Sequence, residues 1–349
     1  MKKTMSLVLI LCFALPLIFA KGSSDKGPAA EARGPSNRIV IYTSMYQNAI
    51  DTVRRDLLKQ FPQYQIEFVQ GGTGIIQARI AAEQSAGRLG CDILMVAEPA
   101  YSLELKDKGL LHPFKSNESV NLAFDYDPDG YWYPVRVSNM VLAFNPDKYL
   151  RSVVPGSFYE FAHDPRVVNA ISVRNPIVSG TAMATATALR DKYGYAYFEA
   201  LGKQRPKIDY GAEDTISKLE SGECKVVMIL EESILRIRQE EKSRLEVIYP
   251  GDGTVVIPST IMIVNNEWSA NRNIQAAEVI AGWFLTEAGQ NVIVDAWMHS
   301  VRKGFPRRPF DARATDEIRA NSIPVMWDNV YHQRDEIRRG FEEYIAAVR

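Results

Sequence analysis

The sequence predicts an α/β protein of two lobes with a cleft between them. Short runs rich in Val and Ile alternate with stretches whose apolar residues recur at helical spacing, the signature of βαβ units and parallel sheets. That alternation occurs in two separate regions, and 349 residues is long for one core, so two domains of roughly 150 residues each are expected.

The elements follow in order. Lys2 and Lys3 precede an apolar run from Met5 to Phe19 that ends at Ala20, the layout of a secretory signal peptide covering residues 1–20. The run is interrupted by Pro16 and falls short of the roughly 20 residues needed to cross a bilayer, so a retained anchor is the second choice. Cys12 raises lipidation as an alternative, against which stands the bulky Leu11 before it. Residues 21–37, rich in Gly, Ser, Ala and Pro, read as a flexible tether. Arg38 to Tyr42 then forms a first strand, and Ile50, Val53, Leu57 and Phe61 mark a helix that stops at Pro62. Tyr64 to Val69 alternates as a second strand, Gly71-Gly72-Thr73-Gly74 leads into a helix reaching Ala86, and Asp92 to Val96 is a third strand.

A second α/β region repeats the logic without repeating the sequence. Met140 to Phe144 is a strand, Val178-Ser179-Gly180-Thr181 opens a helix to about Tyr193, and Lys225 to Leu230 is another buried strand. Thr260 to Val264 returns as a strand before helical stretches near 273–295 and 326–349. Extended crossings near 135–140 and 255–260 would join the lobes.

Composition narrows the function. Lys and Arg number 41 against 42 Asp and Glu, for a net charge of −1, so no basic field for nucleic acid exists. Removing the signal peptide and its two lysines takes the charge to −3. Cys91 and Cys224 are expected as buried thiols. The four histidines show no metal-ligand spacing, and no Gly-x-Ser-x-Gly elbow or Gly-Lys-Ser/Thr phosphate loop is present. Catalysis therefore has little support, and no cofactor is expected.

Two loops have the build of an anion site, because glycines and hydroxyls at helix N-termini offer free N–H groups and the positive dipole end. They are Gly71-Gly72-Thr73-Gly74 in the first region, whose glycines let backbone approach a ligand, and Ser179-Gly180-Thr181 in the second. Each alone is better explained as a helix cap; facing one cleft, they become a candidate site. Among the aromatics, Tyr42, Tyr46, Trp132 and Trp297 lie at strand ends or in loops, where packing and recognition are both open. Glu98 and the pair Glu231-Glu232, read as lying at strand ends, are the acidic candidates for an amine, a cation or sugar hydroxyls.

Taken in order, the signal peptide, Ile39-Val40-Ile41-Tyr42-Thr43-Ser44, Phe61-Pro62, Gly71-Gly72-Thr73-Gly74, Ala81-Ala82-Glu83, Cys91-Asp92-Ile93-Leu94, Lys108-Gly109-Leu110-Leu111 and Val178-Ser179-Gly180-Thr181 resemble the periplasmic solute-binding proteins of ABC importers. The resemblance is to the branch with ferric-ion, hexose-phosphate, aminoethylphosphonate and thiamine binders, and it covers nearly the whole mature chain. It implies a type 2 periplasmic-binding-protein fold, with residues 38–134 and 256–305 as lobe 1 and residues 135–255 and 306–349 as lobe 2. It also implies a periplasmic, monomeric protein that is not an enzyme, binds a small anionic solute and hands it to an ABC permease. Iron-binding members carry tandem tyrosines where this chain has Glu231-Glu232-Ser233, which favours a phosphorylated organic solute such as a thiamine phosphate, hexose phosphate or phosphonate. The ligand set so implied is Tyr42, Ser44, Tyr46, Gly72, Thr73, Glu98, Trp132, Ser179, Gly180, Thr181, Glu231 and Trp297, with no metal ligand. A ferric-ion-binding protein is the alternative, and an extracytoplasmic hydrolase or sensor partner is the alternative of another class.

Overall fold

Two long antiparallel strands, Tyr133–Phe144 and Thr254–Val264, run through the middle of the protein and belong to both halves of it. The computed structural model describes residues 36–347. The expected signal peptide, Cys12 and residues 21–35 of the tether lie outside that range.

The first half starts with β1 (Arg38–Thr43), α1 (Gln47–Gln60), β2 (Gln65–Gln70), α2 (Thr73–Ser85), β3 (Ile93–Val96), α3 (Pro99–Asp107) and β4 (Leu111–His112). The strand β5 (Tyr133–Phe144) leads into α4 (Phe158–His163), β6 (Ile171–Arg174), α5 (Gly180–Tyr193), α6 (Tyr195–Lys203), β7 (Lys207–Asp209), α7 (Ala212–Ser221), β8 (Val226–Leu230), α8 (Glu231–Glu240) and β9 (Glu246–Ile248). The return strand β10 (Thr254–Val264) is followed by α9 (Ile274–Leu285), α10 (Glu287–Asp295), α11 (Thr315–Ala320), β11 (Ser322–Ile323), α12 (Trp327–His332) and α13 (Arg334–Phe341). The sheet path runs β2-β1-β3-β10-β5-β8-β6-β7.

Period-two alternation builds the layers. In β1, Ile39 and Ile41 join one core with Leu57 and Phe284, while Val40 and Tyr42 join another with Ile76 and Leu105. In β8, Val226, Met228 and Leu230 pack on one face and Val227 and Ile229 on the other. Helix α1 buries Ala49, Ile50, Val53 and Leu57, one face at the expected spacing. It ends because Phe61 precedes Pro62 and leaves the helical region at φ −127° and ψ 60°.

The extended crossings expected near 135–140 and 255–260 fall within the long strands β5 and β10. The start of β5 sits in the first core through Tyr133 and Val135 and its end in the second through Leu142 and Phe144. Strand β10 runs the other way, from Val255 and Ile257 in the second core to Ile261 and Ile263 in the first. A register shift between Ser259 and Thr260 interrupts the β5–β10 ladder, an irregularity of the kind that adds local twist. Cys91 and Cys224 are buried free thiols in different halves.

Candidate functional site

Ligands of open α/β sheets collect beyond the carboxyl ends of parallel strands, and here those ends from both halves meet around one cavity of about 50 Å³, several times the roughly 10–15 Å³ a single water needs. Strand β1 delivers Ser44 and Tyr46, β2 delivers Gln70, Gly72 and Thr73, and the end of β3 delivers Ala97. From the second half, β6 contributes Arg174 and, past its loop, Ser179, Gly180 and Thr181; β8 contributes Leu230 and Glu232. Arg136 of β5 forms part of the wall where the two halves join.

The two glycine loops meet directly. The Gly74 N–H donates to the Val178 carbonyl of the opposite loop at 3.4 Å. A Cβ on Gly72 would fall far inside contact distance of the Val178 carbonyl, and one on Gly74 would strike the Ile177 carbonyl. A Cβ on Gly180 would lie 2.7 Å from Thr73 Oγ1 and 2.9 Å from the Ala97 carbonyl. With φ at −56°, Gly72 needs no left-handed backbone; close approach of two backbones is what excludes a side chain.

In α5, Ser179 caps the helix by accepting from the Ala182 N–H at 3.3 Å, and its Oγ lies 3.0 Å from Thr181 Oγ1. The first-turn N–H groups of Gly180 and Thr181 have no intrahelical acceptor and lie on the cavity wall.

Arg136 is the most informative group. Its side chain is buried, and its partners are neutral: Ser138 Oγ at 3.1 Å, Met298 Sδ at 3.2 Å and Ser44 Oγ at 3.3 Å. Nε has no partner among the described residues. Burial lowers the guanidinium's pKa against the pull of Glu232 and Tyr46, so this cation carries a desolvation cost that those groups offset only in part and that an anionic guest would offset further. Ser138 Oγ passes a hydrogen bond to Glu232 Oε1 at 2.8 Å. Burial raises the Glu232 carboxyl, and Arg136 opposes that rise. Arg174 donates to the Tyr46 hydroxyl at 3.0 Å and to the Tyr210 carbonyl at 3.0 Å, linking the halves. Burial raises the Tyr46 phenol, opposed by Arg174.

Five expected ligand residues lie elsewhere, each for a stated reason. Tyr42 alternates onto the face under α2, where its hydroxyl donates to Glu83 at 2.8 Å beneath Arg79. Glu98 turns its buried carboxylate to Arg334 of α13, which also holds Glu104 at 3.0 Å. Trp132 packs with Leu94 and Met262 in a core. Trp297, at φ 61°, packs on Leu235 and donates from Nε1 to Gln239 at 2.7 Å.

Glu231 and Glu232 are the first residues of α8 rather than the end of a strand. Glu232 reaches the cavity, while Glu231 accepts from Asn139 Nδ2 at 2.7 Å and from the Tyr249 hydroxyl and lies 2.9 Å from His299 Nε2. Breaking such a buried cluster costs about 3–5 kcal/mol. Glu231→Ala is therefore expected to lower unfolding free energy by about that amount, read from urea denaturation; a loss below about 1 kcal/mol would contradict the structural role.

The sequence reading missed Arg136, Arg174 and Gln70 as site residues, and of the acidic pair it carried Glu231 rather than Glu232 into the ligand set. Two signals were available: Arg136 sits alone between valines in the crossing strand, and Arg174 ends β6 just as Gln70 ends β2.

Residues 91–333 match the bacterial extracellular solute-binding protein family. Among solved structures, the periplasmic binding protein AfuA from Actinobacillus pleuropneumoniae, with fructose-6-phosphate bound, is similar with a TM-score of 0.75 and 17% identity, over 88% of this chain and 98% of that one. Iron-bound HitA from Pseudomonas aeruginosa is similar with a TM-score of 0.75 and 17% identity, over 87% and 99%. The substrate-binding protein of an ABC transporter from Agrobacterium tumefaciens has a TM-score of 0.77 and 17% identity, over 89% and 94%. No curated protein sequence matches the chain. At these identities the solved structures share the fold, the two-lobed type 2 periplasmic-binding arrangement.

Proposed function

Because the chain belongs to the bacterial extracellular solute-binding protein family, whose members are binding proteins, we propose that it captures a phosphorylated organic solute outside the cytoplasmic membrane and delivers it intact to an ABC permease. One observation carries this reading: buried Arg136, partnered only by neutral groups, lies with Arg174 and two helix N-termini on the wall of one small cavity. Two guanidiniums face one carboxylate, Glu232, so the balance favours an anion, and first-turn amides suit phosphate oxygens. Hinge bending at β5 and β10 would part the Gly72–Gly74 and Val178–Gly180 loops, which meet in the structure, and admit the guest. Among the described residues no helix is long and apolar enough to cross a membrane.

Iron capture has less support here, since the cavity offers one phenol, Tyr46, already engaged by Arg174, and one carboxylate. Native mass spectrometry of the purified protein tests the proposal, paired with calorimetry against hexose phosphates, phosphonates and thiamine phosphates. One phosphorylated molecule per chain, recovered unhydrolysed, is the expected result. Failure of the whole panel to bind, or a coloured iron complex, would overturn it.

A further inference from the structure

We propose that helices α12 and α13 form a strap across the seam between the two halves, and that Arg334 is its latch, holding the halves in the closed arrangement whatever solute the cavity takes. The strap belongs to the second half, since Val330 of α12 and Ile337 and Phe341 of α13 are buried in the second core. Its polar contacts cross to α3, which Tyr101 and Leu105 anchor in a core of the first half with Leu94. Arg334 donates to Glu98, just before α3, and to Glu104 within it at 3.0 Å. The Tyr331 hydroxyl donates to Asp107 at 3.4 Å.

Packing between strap and first half is incomplete, which leaves the polar contacts to hold them together. A chamber of about 370 Å³ separates Ile323 and Trp327 on the strap side from Phe124 and Trp132 of the first half. Of α3, only Ala100 joins the second core.

The chemistry of the pair fixes the direction of its effect. Glu98 is 2% exposed, and its other donor is Gln77 Nε2 of the same half at 3.4 Å. Burial pushes the Glu98 carboxyl up, and Arg334 and Arg338 pull it back. Without Arg334, that carboxylate is left buried and short of its cation while the halves stay together; opening relieves it by admitting water. The same seam closes over the solute: Ala97, next to Glu98, borders the cavity, and a Cβ on Gly180 of the second half would lie 2.9 Å from the Ala97 carbonyl.

Spin labels at Ile75→Cys and Tyr210→Cys test the latch without any solute. The two residues are 58% and 66% exposed and border the outer cleft from opposite halves, while the native Cys91 and Cys224 are buried and stay unlabelled in the folded chain. The labelled protein is unfolded and refolded to strip bound solute, and electron paramagnetic resonance reads the distance in the otherwise wild-type background and with Arg334→Met, Arg334→Lys or Glu104→Gln added. A short-distance population is expected in the wild-type background. Arg334→Met should cut the ratio of short to long distances at least about tenfold. Arg334→Lys, which keeps the charge without the planar fork, should cut it less. Circular dichroism and urea midpoints report folding separately; should Arg334→Met fail to fold, Glu104→Gln decides, with a fall of at least about twofold expected. Long distances alone in the wild-type background, or an unchanged ratio in the folded deciding variant, would overturn the latch.

Discussion

Replacing Arg136 with methionine is expected to weaken solute binding by roughly 30- to 4,000-fold, the equivalent of about 2–5 kcal/mol for removing one partner of a buried, hydrogen-bonded charge pair. Methionine keeps much of the aliphatic stem, so most of the effect is charge and hydrogen bonding. Without the guanidinium, Arg174 alone among the cavity's side chains would offset the charges of Glu232 and the anion. Arg136→Lys should fall between the two, because an ammonium restores charge without the planar fork. Isothermal titration with the solute identified by mass spectrometry gives the readout, and urea midpoints report folding separately. A folded Arg136→Met protein within threefold of wild type would remove the central element of the site.

The second large effect concerns closure. Gly72→Ala and Gly74→Ala each place a methyl where a carbonyl oxygen of the opposite loop already sits, Val178 for one and Ile177 for the other. Overpacking of this kind costs about 1–3 kcal/mol, so solute affinity is expected to fall by roughly 5- to 150-fold. The penalty applies only when the loops meet. For Gly74, inside α2, alanine should also stabilise the helix of the unliganded protein by up to about 1 kcal/mol. Binding and unliganded stability are thus expected to move in opposite directions in that variant. Small-angle scattering adds a shape readout: wild type compacts on adding solute, and the variants compact less. Unchanged affinity together with unchanged compaction would show that these loops need not meet for binding.

The glycines illustrate how far the sequence could be read. Gly72, Gly74 and Gly180 stood out as backbone positions for approach to a ligand, and the approach is there, but its partner is largely the other loop. Their helices were legible because N-caps and glycine turns are local signals. Which group occupies the space over each Cβ depends on residues about a hundred positions away, and no local pattern encodes that.

The misplaced aromatics and acids make the same point. Tyr42 lies within β1, where alternation sends it with Val40 onto the face under α2, whereas Ser44 lies past the end of the strand, where the chain turns toward the cavity. The sequence offers Glu231 and Glu232 together as acidic candidates. Their division of labour follows from the start of α8, which sends one carboxylate to His299 and Tyr249 and the other to Ser138 and the cavity. Arg136 was passed over because a charge inside an apolar strand has no meaning until its neighbours are known.

By itself, the sequence determined that this protein is an α/β chain with two sheet regions, strands that connect them, and hydroxyl- and glycine-bearing loops at two helix starts. Those features are written in periodicity, turn chemistry and caps, which act over a few residues. Only the tertiary structure decided that Arg136 and Arg174 supply the cavity's positive charge, that Glu232 rather than Glu231 lines it, and that the glycine loops touch across the cleft. The reason is physical: a charge gains its function from burial and from partners distant in sequence, and both exist only once the two halves have folded against each other.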